Sequence, residues 1–232
     1  MRPAAGPAKR AETGAAVVVR SAVTDLEAGL DQQRRARPQL AFEKQPPPRR
    51  LAPFAAAIGA TVHDPDLSGE TSPGAGDDAD TEIGWGSFVL LYDPAEQTGW
   101  AGPFRVIAYI RADLEPEIAA DPLVGQVGWS WLTEALDART AGFRQISGTV
   151  TRVVTEGFGT KQDQPVATGF ELRASWSPAE PGLVGPTAPH RAPADLGGHL
   201  AAWCDALCAA SGLPPLPAGV SALRPPRPRR RP

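Results

Sequence analysis

The chain has 232 residues, 42% of them apolar, which allows one domain with a core and leaves room for tails. Its net charge of −3 is unevenly spread: residues 51–223 carry eight basic and twenty-one acidic side chains, whereas both ends are basic. An acidic body argues against a folded surface that grips nucleic acid, because phosphate contacts need positive potential. No apolar run approaches the roughly 18 residues of a membrane span, so we expect a cytoplasmic protein without membrane association.

Composition divides the chain into one domain with two tails. Residues 1–16 are rich in Pro, Ala and Gly without periodicity, and residues 217–232 are rich in Pro and Arg. Such segments lack the apolar surface to offset the entropy of ordering, so both are predicted to be disordered. A single domain is predicted over residues 17–216. Within it, residues 64–83 predict a flexible acidic loop.

The first elements are a helix and two strands. The helix is predicted to begin near Thr24, because Thr24 and Glu27 have the spacing of a capping box, and to end before Pro38. Residues 39–43 predict a short strand. Residues 52–62 fit both a helix and a strand, and β-branched residues near the end of the segment slightly favour strand.

A hairpin is predicted next. Residues 86–94 are apolar on both faces, as in a central strand, and residues 103–114 alternate between apolar and mixed positions. One face of the second strand holds Phe104, Val106, Ala108, Ile110 and Leu114, and the other holds Arg105, Ile107, Tyr109 and Arg111.

A helix carrying VGWSWLTEALDAR (127–139) follows, with Asp121 as the expected N-cap and Pro122 at the first position. Residues two apart on a helix point about 200° away from each other, so Trp129 and Trp131 lie on different sides. A helix that is apolar on two sides is expected between a sheet and another helix. We therefore predict that Trp131 is buried in the core against Trp203.

Two strands (148–156 and 168–176) and a helix within 194–211 complete the pattern. The last helix has a stripe of Leu196, Leu200, Trp203 and Leu207 and ends before Gly212. The order is one helix, four strands, one helix, two strands and one helix. It predicts an α+β fold, with an antiparallel sheet of five to six strands and helices packed on one face.

No pattern in the sequence indicates catalysis or metal binding. Cys204 and Cys208 lie one helical turn apart, but a structural metal site needs four ligands at recognisable spacing, so we expect both to pack in the core. No Ser lies in a G-x-S-x-G turn, and no Gly-rich phosphate loop follows a strand. We predict no catalytic residue, no metal site and no cofactor.

The outer faces of the strands supply the candidate site. They present Arg105, Tyr109, Arg111, Glu171 and Arg173. The three arginines are an uneven share of the eight basic residues in the body of the chain. An ordinary solvated sheet face would have a similar composition. Our hypothesis is a non-enzymatic binding module that contacts a protein partner through this exposed face.

Two alternatives remain. One is an enzyme or binder that acts on a small anionic metabolite held by Arg105, Arg111 and Arg173. The other is an accessory protein of nucleic acids that binds only through its basic termini, since charge alone gives such tails affinity for phosphates.

The segments DPLVGQVGWSWL (121–132), GTVT (148–151) and ELRASW (171–176) carry a resemblance to a known family. Over roughly residues 20–216 the chain resembles the actinobacterial family called domain of unknown function 3000. The resemblance implies a cytosolic bacterial protein and supplies no activity, cofactor or catalytic residue. The acidic segment 64–83 and the two tails depart from the family pattern.

Overall fold

A computed structural model describes residues 7–64, 82–140, 142–179 and 195–213, with side chains from residue 14 onward. Most of the predicted acidic loop and the whole predicted tail over 217–232 lie outside the described residues. The last two residues of the predicted loop, Glu82 and Ile83, belong to a strand.

The elements follow the order typical of an α+β fold, with consecutive antiparallel strands between helices. In chain order they are α1 (Pro7–Ala36), β1 (Leu40–Gln45), β2 (Phe54–His63), β3 (Glu82–Tyr92), β4 (Phe104–Asp113), α2 (Pro116–Ala120), α3 (Val124–Arg139), β5 (Phe143–Thr155), β6 (Ala167–Pro178) and α4 (Leu196–Ala210). The strands form one sheet in the order β1-β2-β3-β4-β6-β5, and every neighbouring pair is antiparallel. The α+β prediction is confirmed, as is strand for residues 52–62.

The core lies between the sheet and the helices. Alternate residues of β4 and β6 point into it, as their sequence alternation predicts, and bury Val106, Ala108, Ile110, Phe170, Leu172 and Trp176. The helix α4 packs over β3 and β4 and is flanked by α1 and α3. Its Leu196, Leu200, Trp203 and Leu207 are fully buried. Because α4 is covered on nearly all sides, it is the central helix of the layer.

Two glycines let α1 and α4 cross closely. A Cβ atom built on Gly29 would lie 2.5 Å from the Cα atom of Gly197, closer than any real contact. The same crossing caps α4, since its Leu196 amide donates to Asp25 Oδ2 of α1 at 2.7 Å. Small residues at the crossing therefore set the distance between the two helices.

One buried carboxylate joins three helices. Asp205 on α4 accepts hydrogen bonds from Arg37, just after α1, and from Arg139 at the end of α3. Its side chain is 8% exposed, and that of Arg37 is 12% exposed. Charge-assisted bonds of this kind offset the cost of removing the carboxylate from water.

The first helix is longer than predicted. It begins at Pro7, so residues 7–16, which composition assigned to a disordered segment, are helical. Thr24 is inside the helix, where its hydroxyl donates to the Arg20 carbonyl, so the predicted capping box is wrong. Ala15 and Val18 pack against the core in register with Ala22, and this burial extends the helix beyond the local capping signal.

The start of α3 also differs. Asp121 follows α2, a short helix that the sequence pattern did not predict, and its Oδ1 accepts from the Leu123 amide at 2.8 Å. The helix itself begins at Val124, three residues later than the predicted N-cap. The side chain of Asp121 therefore stabilises the turn between two helices and does not cap the longer one.

The prediction that Trp131 is buried against Trp203 is wrong. Trp131 is half-buried, and its ring packs on Phe170 at 5.9 Å, whereas Trp203 packs on Phe88 at 5.8 Å. The buried stripe of α3 consists of Val124, Gly128, Leu132 and Leu136. Trp131 precedes Leu132 by one residue, so it points about 100° away from the centre of that stripe.

Candidate binding surface on the open sheet face

The sheet has a second face, on the side away from the helices, which we call the open face. Strand register places its side chains in rows. Tyr109 lies opposite Ser87 and Arg173, and Arg111 lies opposite Trp85 and Glu171. Neighbouring strands are about 4.8 Å apart, so side chains in one row touch directly.

Five residues of two adjacent rows form what we call the open-face cluster: Trp85, Tyr109, Arg111, Glu171 and Arg173. The Trp85 and Tyr109 rings lie 5.4 Å apart, tilted by 59°. The guanidinium carbon of Arg173 lies 5.3 Å from the centre of the Tyr109 ring, and its Nη2 donates to Glu171 Oε2 at 2.7 Å. A tilted ring contact, a cation–π contact and an ion pair thus order the cluster before any ligand arrives.

The environment keeps Tyr109 protonated. Burial, together with the charge and hydrogen bonding of Glu171, raises the pKa of its phenol above the usual 10, against opposing effects of Arg173 and Arg111. At neutral pH the phenol is therefore a hydrogen-bond donor and presents a polar tip on an aromatic body.

Arg105 does not join the cluster, although the sequence placed it on the same face. It is four residues from Tyr109, about 13 Å along the strand, and only 8% exposed. Its Nη1 donates to the Gln145 carbonyl at 2.9 Å, and its Nη2 donates to Ser175 Oγ at 2.7 Å. That carbonyl belongs to the irregular part of β5, where the register shifts between Arg144 and Ser147.

An open groove of about 690 Å³ lies above Arg105. One wall is the loop between β3 and β4, with Gln97, Thr98, Gly99 and Trp100, and the other includes Ser147, Thr149, Arg173 and Ser175. Its lining contains two arginines and no Asp or Glu among the described residues. We call this hollow the Arg105 groove.

Two of the three arginines expected to hold one anion, Arg105 and Arg111, lie far apart, whereas Arg173 lines the groove with Arg105. Arg111 lies six residues from Arg105, about 20 Å along β4, beside two further hollows of 580 and 250 Å³. Asp113 lines both hollows together with Arg111, so each hollow contains a negative and a positive side chain. Arg105 and Arg111 cannot bind the same small ligand.

The cysteines lie away from this face and have the character of core residues. Burial raises the pKa of the Cys208 thiol to about 11 and that of Cys204 further still, so both stay protonated and unreactive at neutral pH. Among the described residues, no group of three or more His, Cys, Asp or Glu side chains is placed to hold a metal ion.

Sequence reasoning missed Trp85 and Trp100. Trp85 lies one residue before the predicted start of its strand, and the alternation of Ile83, Trp85 and Ser87 with two glycines was a usable signal. Trp100 lies in a loop, and its place in the groove depends on how that loop folds back over the sheet.

A family model described as "Protein of unknown function (DUF3000)" matches residues 18–221. The chain belongs to the DUF3000 family. The match includes the open face and the Arg105 groove of this DUF3000 protein. Neither the curated proteins nor the solved structures contain a significant match to it. Within its described residues, no helix combines the length and apolarity needed to cross a membrane.

Proposed function

We propose that this DUF3000 protein is a non-enzymatic binding module that docks a protein partner on the open face of its sheet. The observation that supports this most is the open-face cluster, in which the Tyr109 ring contacts both Trp85 and the Arg173 guanidinium at the surface. Trp, Tyr and Arg are the residues that contribute most binding energy at protein interfaces. The ion pair with Glu171 and the contact with the Tyr109 ring restrain Arg173, which lowers the ordering cost of binding.

The size of the face supports a protein partner. Six strands about 4.8 Å apart and about ten residues long span roughly 25 by 30 Å. That area is close to the roughly 800 Å² that each partner contributes to a standard protein interface. The face therefore offers room for a globular partner or a long peptide segment.

The partner would present acidic and aromatic side chains. Arg111 is exposed and forms no ion pair with any described residue, so its charge is available to an incoming carboxylate. Trp85 beside it offers an aromatic surface. An acidic group placed next to an aromatic one would complement both.

The other expectations remain proposals. A cytoplasmic location is supported by the buried thiols of Cys204 and Cys208, since free thiols suit a reducing compartment. An actinobacterial origin is implied by the resemblance alone. Binding of nucleic acid through the basic termini rests on residues largely outside the described part and stays a prediction.

Site-specific photo-crosslinking tests the proposal. A photoreactive amino acid replaces Arg111 on the open face or, as a control, Glu134 on the exposed side of α3. Irradiation in cells of the encoding organism should give a discrete crosslinked protein from position 111 and none from position 134. The double variant Trp85→Ala, Arg173→Ala should remove a crosslink formed from position 111. Crosslinks from position 134 only, or from neither position, would contradict docking on this face.

A further inference from the structure

We infer that the Arg105 groove is a binding site for a small organic anion, with a carboxylate or phosphate on the Arg105 guanidinium and an apolar body against Trp100. The site adjoins the surface proposed for a protein partner and shares Arg173 with it, but its test does not depend on that proposal.

The first support is the charge of Arg105. The residue is 8% exposed, and its three hydrogen bonds go to neutral oxygens: the Gln145 carbonyl, the Ser175 carbonyl and the Ser175 hydroxyl. No described carboxylate forms an ion pair with it. Buried charges in proteins are normally paired, so a buried guanidinium without a counter-ion favours an anion beside it.

The second support is unused donor capacity. A guanidinium has five N–H donors in one plane, and three are accounted for by these bonds. The Nε–H and one Nη1–H have no partner among the described residues. Nε is not among the fully buried atoms that lack a partner, so solvent reaches it. Each of these N–H groups can donate one charge-assisted hydrogen bond to a carboxylate or phosphate oxygen.

The third support is the lining. Arg173 adds positive charge on one wall, and the hydroxyls of Ser147 and Thr149 add polar contacts. Ile107 and the partly exposed Trp100 supply apolar surface. A few convergent polar groups within an apolar wall are typical of small-molecule sites, and 690 Å³ falls in their usual range of about 300–1,000 Å³.

The wall of the groove formed by the loop between β3 and β4 is held in place without a ligand. The Gln97 side-chain amide donates to the Leu51 carbonyl at 2.8 Å and to Asp93 Oδ2 at 2.9 Å. At the other end of the loop, the Ala101 amide donates to Ser177 Oγ at 3.1 Å. These bonds hold the loop that carries Trp100 on both sides of that residue, so little ordering cost remains for binding.

Three small ligands that share a phenyl ring distinguish the effect of a negative charge on binding from the effect of the ring. Phenylacetate carries a carboxylate, phenyl phosphate carries a phosphate, and phenylacetamide is the neutral analogue of the first. We expect at least one anion to give saturable NMR shifts of the Trp100 indole N–H and the Gly99 amide. The neutral amide should bind at least tenfold more weakly than phenylacetate. Whichever anion binds more tightly identifies the group that the natural ligand carries.

Variants tie the signal to the groove. Arg105→Gln should weaken anion binding at least tenfold, whereas Arg35→Gln, the same change at an exposed position of α1, should leave it unaltered. If Arg105→Gln does not fold, Arg105→Lys and Trp100→Ala replace it, and each should weaken binding several-fold. Absence of saturable shifts with both anions, equal binding of the amide, or equal weakening by Arg35→Gln would overturn the inference.

Discussion

Trp176 donates its indole N–H to Nδ1 of His199, at 3.1 Å, in the contact between β6 and α4. Both residues are completely buried. Because Nδ1 accepts this bond, the proton of the neutral imidazole lies on Nε2, which has no partner among the described residues. Burial lowers the pKa of His199 to about 4, so the fold requires the neutral ring.

The free energy of unfolding should therefore decrease as the pH falls from about 6.5 to 4. In that range the unfolded chain binds a proton at His199, with a pKa near 6.5, and the folded chain does not. The expected loss is about 2 kcal/mol at pH 5. Urea unfolding from pH 7.5 to 5 measures it. His199→Gln keeps an acceptor for Trp176 but does not titrate, so an equally steep pH dependence in this variant would contradict the assignment.

Replacing Asp205 should destabilise the protein strongly. Asp205→Ala leaves Arg37 without its partner in a site where the arginine side chain is only 12% exposed. Breaking a buried pair typically costs about 3–5 kcal/mol, and we expect the lower end because Arg139 is 41% exposed. Chemical denaturation gives the value. The control is Asp137→Ala, an exposed acid on α3, which should change stability by less than about 0.5 kcal/mol.

Two glycine-to-alanine changes in helices should have opposite effects. Gly29→Ala places a methyl group 2.5 Å from the Gly197 backbone and forces α1 and α4 apart, at a cost of about 1–3 kcal/mol. Gly125→Ala in α3 meets nothing within 4 Å, so higher helix propensity should stabilise by up to about 1 kcal/mol. Thermal melting should place the two variants on opposite sides of the wild type. If both raise the melting temperature, the helices are not in close contact at Gly29.

The tryptophans of α3 and α4 should differ in their contribution to stability. Trp203→Ala removes a fully buried ring that also donates to the Tyr109 carbonyl at 3.2 Å, and about 3–5 kcal/mol is expected. Trp131→Ala removes a half-buried ring and should cost clearly less. Comparing the two by denaturation tests the burial assignments. If Trp131→Ala lowers the free energy of unfolding as much as Trp203→Ala or more, Trp131 is a core residue and its half-buried assignment is wrong.

The periodicity of apolar residues in the sequence was sufficient to predict burial in helices and strands that bury a single face. Alternation assigned the inward residues of β4 and β6 correctly. The predicted end of α4 before Gly212 is also correct, and the φ of 77° at this residue suits a glycine after a helix. Periodicity failed where a partner is distant in sequence. The link from Asp205 to Arg37 spans 168 residues, and no local pattern encodes it.

The candidate site shows the same division. Tyr109, Arg111, Glu171 and Arg173 share the outer face that their alternation predicts. Arg105 shares it too, but its burial depends on an irregularity in β5 and on the β3–β4 loop folding back. Neither feature has a periodic signal, so the sequence located the arginine without revealing the groove.

The position of α4 at the centre of the helix layer has a consequence for synthesis on the ribosome. The six strands all precede α4 in the chain, so the sheet can pair before the middle of its inner face has a cover. Until α4 has emerged, Phe88 and Trp176 face water together with the inner residues of β4. A nascent chain at this stage exposes a continuous apolar surface. Intermediates of this kind bind chaperones and aggregate when chaperones are absent.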